Sequence, residues 1–234
     1  MADLVFPPIC VSCRGLVEDD PGPFRHVCAS CRRRVVLVRD PHCTTCGYPF
    51  FGEHAESAGC AHCERLRPAY EEGRTATLLQ GPMRHIVHAL KYERALHVLR
   101  DIEAFVADHA YFREFLAGAV LVPVPLHPRK LRERGYNQAE LVAQAFRRAS
   151  GAADVRLLLR RVVDTATQTR LDRQARQDNL KNAFALAGDG TIETSLRYVL
   201  VDDVFTTGAT LNACAHALRR GRPGRVDVAT LGHG

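Results

Sequence analysis

The stretch Tyr198-Val199-Leu200-Val201-Asp202-Asp203-Val204-Phe205-Thr206-Thr207-Gly208-Ala209-Thr210 decides how this chain is read. An apolar strand ends in two adjacent carboxylates. Thr206 to Ala209 then lead to Thr210, where a helix can begin. Hydroxyls, a glycine and unpaired backbone N–H groups at a helix start make a cradle for phosphate, because the free donors and the positive dipole end face the same anion. Asp202 and Asp203 suit the vicinal hydroxyls of a ribose, since carboxylate acceptors make those hydrogen bonds charge-assisted. The predicted ligand is a ribose 5-phosphate compound. On the helix side, Leu211, Cys214, Ala215 and Leu218 repeat at i, i+3, i+4 and i+7, and Gly221 supplies the stop.

Hydrophobics, two acids, a hydrophobic pair and T-T-G-x-T resemble the fingerprint by which type I phosphoribosyltransferases bind phosphoribosyl diphosphate (PRPP). The resemblance implies an α/β fold with a mostly parallel sheet flanked by helices. It places the 5-phosphate at Thr206, Thr207, Gly208, Ala209 and Thr210 and the ribose hydroxyls at Asp202 and Asp203. Mg²⁺ is expected to arrive with PRPP, bridging diphosphate and ribose oxygens rather than sitting in an all-protein cage.

The 234 residues suffice for one core and a small appended module, expected as residues 1–67 and 68–234. With 46% hydrophobic and 25% charged residues, the composition is that of a globular protein. No apolar run approaches the roughly 20 residues of a membrane helix, and no signal-peptide pattern opens the chain. The expected location is the cytoplasm, without membrane insertion. A net charge of +6, carried far more by Arg than Lys, favours phosphorylated ligands or nucleic acid.

Eight of the nine cysteines precede residue 64, as Cys10-x-x-Cys13, Cys28-x-x-Cys31, Cys43-x-x-Cys46 and Cys60-x-x-Cys63. Two such turns complete a tetrahedral S4 site, so eight thiolates supply two zinc ions. Similar loops inside the first two pairs and the last two suggest zinc ribbons in series; an interleaved arrangement stays open. A closed S4 shell leaves no position for substrate, so both ions are expected to be structural. His26, His42, His54 and His62 are then surface or supporting residues. Arg32-Arg33-Arg34 can track a phosphate backbone or form a solvated face. Phe24, Tyr48, Phe50 and Phe51 can stack on bases or pack around the metal. Cys214 reads as a small buried apolar residue.

After Pro68, helical and strand patterns alternate, the order of an α/β fold with a parallel sheet. Met83, Ile86, Val87 and Leu90 mark one helix, and Val98, Ile102, Phe105 and Val106 a second. Ala119–Val122 reads as a strand buried on both faces. Val142, Ala145, Phe146 and Ala149 mark a third helix, and Val226–Leu231 a further strand. Between the strand at 119–122 and its helix, three prolines predict an extended loop crowded with Arg129, Lys130, Arg132 and Arg134. Such a loop sits at the carboxyl ends of the strands, where ligands bind. Arg129 and Arg134 are predicted to reach the diphosphate.

That loop, V-P-V-P-L-H-P-x-x-x-x-x-R-G-Y-N-Q over residues 122–138, is similar to the signature of the ComF family. Leu90-Lys91-Tyr92 looks like the family's L-K-Y and puts Lys91 among the expected substrate-binding residues. Arg161, Thr165, Gln168, Leu171, Arg176, Asn179, Ala183 and Phe184 follow a further family pattern, with Val163 departing from a commonly basic position. Arg160, Arg161, Arg170, Arg173 and Arg176 line a segment too polar for core. Type I phosphoribosyltransferases carry in this region a loop that closes over PRPP and keeps water out. The resemblance implies a role in natural competence and DNA uptake or processing; the arginines of the ribbon and of the basic loop predict binding to single-stranded DNA, and a further expectation is an interaction module that keeps the pocket as a ligand sensor while the ribbon contacts DNA or a helicase-like partner. The competing expectation is an active phosphoribosyltransferase making an N-glycoside. No acceptor pocket or catalytic residue is identifiable in the sequence.

Overall fold

The computed structural model describes residues 7–17, 22–51, 60–162, 183–188 and 191–234. The segment 163–182, which holds much of the expected closing loop, and His54 lie outside them. Labelled in chain order among the described residues, the elements begin with a short helix α1 (Ala29–Arg32) in the cysteine-rich part. Then come β1 (Gly73–Leu78), α2 (Gly81–Tyr92), α3 (Val98–Asp108), α4 (Ala110–Leu116) and β2 (Val120–Pro123). They are followed by α5 (Pro128–Arg134), α6 (Gln138–Ser150), β3 (Asp154–Val155), β4 (Leu159–Arg161) and β5 (Phe184–Leu186). The C-terminal unit is β6 (Arg197–Phe205), α7 (Ala209–Arg219) and β7 (Arg225–His233).

Five strands form one sheet in the order β1-β7-β6-β2-β3, and every neighbouring pair is parallel. β4 and β5 make a separate antiparallel pair. The α/β class with a parallel sheet flanked by helices is therefore the observed one. Period-2 alternation divides the buried residues between two faces. Val199 and Val201 of β6, Leu121 of β2 and Leu231 of β7 pack with α2, α3, α4 and α6. Tyr198, Leu200, Val122 and Val228 pack with α7, β4 and β5.

The cysteine-rich segment is part of this core. Cys10, Val17, Phe24 and Cys31 join the first face, with Phe24 edge-on to Phe105 of α3 at 4.8 Å. Cys43 and Cys46 join the second. Between them, residues 36–38 run antiparallel beside β1: Val38 N–H donates to Ala76 O and Leu78 N–H to Val36 O, both at 3.0 Å. The segment thus satisfies an edge that would otherwise present unpaired backbone groups.

Two local expectations need correction. β6 does not stop at Val201: Asp202, Val204 and Phe205 stay in register with Thr230, Gly232 and His233 of β7, so both acids lie within the strand. The basic stretch is not an extended loop throughout, because residues 128–134 are helical. Pro128 sits where a helix tolerates the missing N–H, the His127 side chain accepts from Arg129 N–H, and Gly135 closes the turn at φ 86°.

Candidate functional site: a strand–loop–helix cleft beside two cysteine clusters

Past the sheet's carboxyl edge, β6, the following loop and the first turn of α7 face α2 across an open cleft of about 400 Å³. Asp202, Asp203, Thr206, Gly208, Ala209 and Thr210 line one side, and Lys91 lines the other. Lys91 Nζ lies 2.9 Å from Asp203 Oδ2, joining the last turn of α2 to the acid pair. Asp203 N–H donates to Asp202 Oδ1 at 2.8 Å. Burial, and then the neighbouring Asp203 charge, push the Asp202 carboxyl up to about 7, although the residue keeps some contact with solvent. This acid carries a proton more readily than a free aspartate.

The loop is shaped by Gly208, whose φ of +70° suits glycine. A Cβ there would stand 2.5 Å from Phe205 Cζ and 2.8 Å from Leu66 Cδ2. Thr206 and Thr207 are exposed, and the Thr207 hydroxyl accepts from Ala209 N–H at 3.4 Å. Asn212, one turn into α7, clasps the chain behind the last cysteine pair: its Oδ1 accepts from Ala69 N–H at 2.7 Å and its Nδ2 donates to Arg67 O at 2.9 Å. Cys214 is fully buried, and burial drives its thiol well above the ordinary range, as a packing residue requires.

The structure gathers Lys91, Asp202, Asp203, Thr206, Gly208, Ala209 and Thr210 around one cleft, and Thr207 beside it. Arg129 and Arg134 do not line it. Arg129 pairs with Glu133 at 3.0 Å within α5, and the Arg134 guanidinium sits 5.6 Å above the Tyr92 ring, which does line the cleft. The sequence reading did not single out Arg84 and His88 on the α2 wall, and named Tyr92 only within the L-K-Y resemblance. Their signal was the exposed stripe opposite Met83, Ile86, Val87 and Leu90 on an amphipathic helix.

The eight knuckle cysteines form two groups in series, Cys10, Cys13, Cys28 and Cys31, then Cys43, Cys46, Cys60 and Cys63, each with its sulfurs within 4.8 Å of one another. All are free thiols. A tetrahedral ion with metal–sulfur bonds of about 2.3 Å spaces its thiolates about 3.8 Å apart. The observed Sγ–Sγ distances are 3.7 Å for Cys13–Cys28, 3.5 Å for Cys43–Cys63 and 3.6 Å for Cys46–Cys60. The donor sets therefore fit two zinc ions held structurally in closed S4 shells.

Each cluster is tied to the α/β part. Buried Asp101 of α3 accepts from Arg25 N–H at 3.1 Å and His26 N–H at 3.0 Å. In the second cluster, Gly73 N–H donates to Thr44 O at 2.7 Å, and Tyr70 OH donates to Thr45 O at 2.9 Å. Tyr48 stacks on His62 with ring centroids 3.8 Å apart, His62 meets His233 edge-on at 5.0 Å, and His233 stacks on Phe205. Of the arginine run, Arg32 packs over Phe24 and Arg34 donates to Cys31 Sγ at 3.0 Å. Arg33 is exposed. Among the candidate stacking aromatics, Phe24 is core, whereas Phe51 is 68% exposed.

A parallel α/β sheet with a polar cleft past its carboxyl edge, joined to two four-cysteine sites, defines the class: a zinc-ribbon α/β protein. The double zinc ribbon domain family matches residues 1–64. Over 231 residues, covering 96% of both chains, the protein is 31% identical to the DNA utilization protein YhgH of Salmonella typhimurium. It is 28% identical to Competence protein F of Haemophilus influenzae over 90% of each chain. It is also 28% identical to Competence protein ComFC of Bacillus subtilis, over 89% of this chain and 85% of that one. The chain belongs to this ComF family. Among the described residues no helix is long and apolar enough to cross a membrane.

Proposed function

We propose that the protein binds PRPP in the α2–β6–α7 cleft and single-stranded DNA on its basic surface, in a competence-related role in DNA uptake or processing. The observation that carries the first part is the convergence on one cleft of two adjacent carboxylates, a lysine bound to one of them and a hydroxyl-rich loop at a helix start. In this reading the 5-phosphate meets the Thr206–Thr210 loop and the ribose hydroxyls meet Asp202 and Asp203. Mg²⁺ travels with the diphosphate. Residues 1–67 carry the ribbons and 68–234 the PRPP cleft. Relatives named for competence and DNA utilization support the biological role. A helicase-like competence partner and a cytoplasmic location complete the proposal.

For DNA, the supporting features are the net charge of +6 and the exposed α5, with Arg129, Lys130 and Arg132 in contact with solvent. Neutralising phosphates releases counterions, with a slope of roughly −0.7 per contact on single strands. Binding of a fluorescent oligonucleotide should fall steeply with salt and show no sequence preference. Reversing Arg33, Arg129 and Arg132 to Glu should weaken it and leave PRPP affinity unchanged. Absence of binding at low salt removes the DNA part of the proposal.

A further inference from the structure

The two side chains that press on Gly208 of the loop after β6, Phe205 and Leu66, both lead back to the second cysteine cluster. Leu66 N–H donates to Cys63 O at 2.8 Å, one turn from a thiolate of that cluster. Phe205 stacks on His233, whose ring meets Tyr48 and His62 edge-on, each at 5.0 Å. Tyr48 O accepts from Cys43 N–H at 2.8 Å, and His62 lies between Cys60 and Cys63. The chain leaving the cluster is fixed further along. Asn212 of α7 clasps Arg67 O and Ala69 N–H, Arg219 Nε donates to Ala69 O at 3.0 Å, and Tyr70 OH returns to Thr45 O inside the Cys43–Cys46 knuckle. The first cluster is tied to the other face of the sheet, with Ser12 Oγ 3.0 Å from His85 Nδ1 on α2 and the Asp101 carboxylate of α3 holding residues 25 and 26.

We infer that the second cysteine site positions the loop of the cleft through Leu66 and Phe205, so that zinc held by Cys43, Cys46, Cys60 and Cys63 and a ligand held by the loop stabilise one another. The ligand half of this coupling rests on the reading given under Proposed function; the brace rests on the contacts alone. Four thiolates share a centre only while they ligate one ion, and binding energy at such a site is folding energy for the segments that supply it. When the knuckles part, Leu66 and the rings beside His233 lose their anchor. Close-packed side chains transmit such a shift because there is no free volume to absorb it. The Gly208 turn and the first turn of α7 then sample several arrangements, and a ligand must order them as it binds. The first cluster has no such route, since its ties run to α2 and α3. Leu66 and Phe205 are thus positioning residues of the cleft, and neither needs to touch the ligand.

The test is amide hydrogen exchange over residues 205–213 of the zinc-loaded full chain, with α3 as internal reference. Cys60→Ser should speed exchange over 205–213 and leave α3 as in the wild type, whereas Cys28→Ser should leave 205–213 unchanged. Leu66→Ala keeps all eight thiolates and should speed the same segment at about two zinc equivalents; Leu66→Met, which conserves volume, should restore it. PRPP with Mg²⁺ should bind Cys60→Ser about 5- to 150-fold more weakly than the wild type, the usual range of coupling between two sites. Because coupling is reciprocal, saturating PRPP should tighten the zinc remaining in Cys28→Ser by a factor in that range, read by competition with a zinc-selective chelator. Unchanged exchange over 205–213 in both Cys60→Ser and Leu66→Ala, or a rise shared equally by α3, would overturn the brace. Equal PRPP affinity in Cys60→Ser and wild type would overturn the coupling while leaving the cleft's ligand standing. Failure of PRPP to bind the wild type would overturn the cleft reading and the coupling together, and the exchange measurement would still decide the brace.

Discussion

Replacing Asp202 with Asn should change little below about pH 4 and make the protein progressively more stable than wild type as pH rises towards about 7. Burial, followed by the charge of Asp203, raises the Asp202 carboxyl from 3.8 to about 7. The folded chain then binds this proton more tightly than the unfolded chain. Wild-type stability from this group is highest below about pH 4 and is lost as pH rises through about 7, the opposite of a salt-bridged aspartate. Each pKa unit corresponds to about 1.4 kcal/mol. Between pH 5.5 and 8 the titration spans about 1.5 units, or about 2 kcal/mol, and the residue's residual solvent contact reduces this to about 1–2 kcal/mol. Asn mimics the protonated acid and escapes the penalty. Thermal unfolding of both zinc-loaded proteins should show the melting advantage of Asp202→Asn growing by about 2–8 °C between pH 5.5 and pH 8. Thiolate titrations are common to both proteins and cancel in the difference. A difference that does not vary with pH would refute the assignment of a neutral, buried Asp202.

Elemental analysis should find about two zinc equivalents per chain, and Cys28→Ser or Cys60→Ser should each lose about one; disulfides in their place would contradict the S4 sites. Gly208→Ala forces a positive φ on a Cβ that meets Phe205 at 2.5 Å. It should cost about 2–5 kcal/mol of stability by denaturant unfolding, and an unchanged midpoint would mean the loop adapts freely. Asn212→Ala removes both hydrogen bonds to residues 67–69 and should cost about 1–3 kcal/mol. A cost near zero would show that the clasp does not hold the second ribbon's exit to α7.

The strands and helices that follow simple apolar periodicity were legible in the chain: Val199 and Leu200 of β6, Met83 to Leu90 of α2, Val142 to Phe146 of α6. β1 was not, because its inward positions include Thr75 and Thr77, which read as polar. Both are buried and satisfied, Thr75 Oγ1 by Thr230 Oγ1 at 2.8 Å and Thr77 Oγ1 by Leu231 O at 2.7 Å. The helix α5 was hidden by prolines, which signal extended chain until one sits at a first helical turn. In the site, the acid pair and its loop were legible from local order alone. Lys91 came only through resemblance, since its meeting with Asp203 spans two elements far apart in sequence. Arg84, His88 and Tyr92 were legible as an exposed helical stripe, but not as a wall of the cleft.

The central claim is that the acid pair and the loop after it bind PRPP. Calorimetric titration of PRPP with Mg²⁺ into the zinc-loaded protein, beside the Asp202→Ala/Asp203→Ala double variant, tests it most directly. The account predicts saturable binding by the wild type and none by the double variant, whose zinc content stays at about two equivalents. Equal affinity in the two proteins would contradict it.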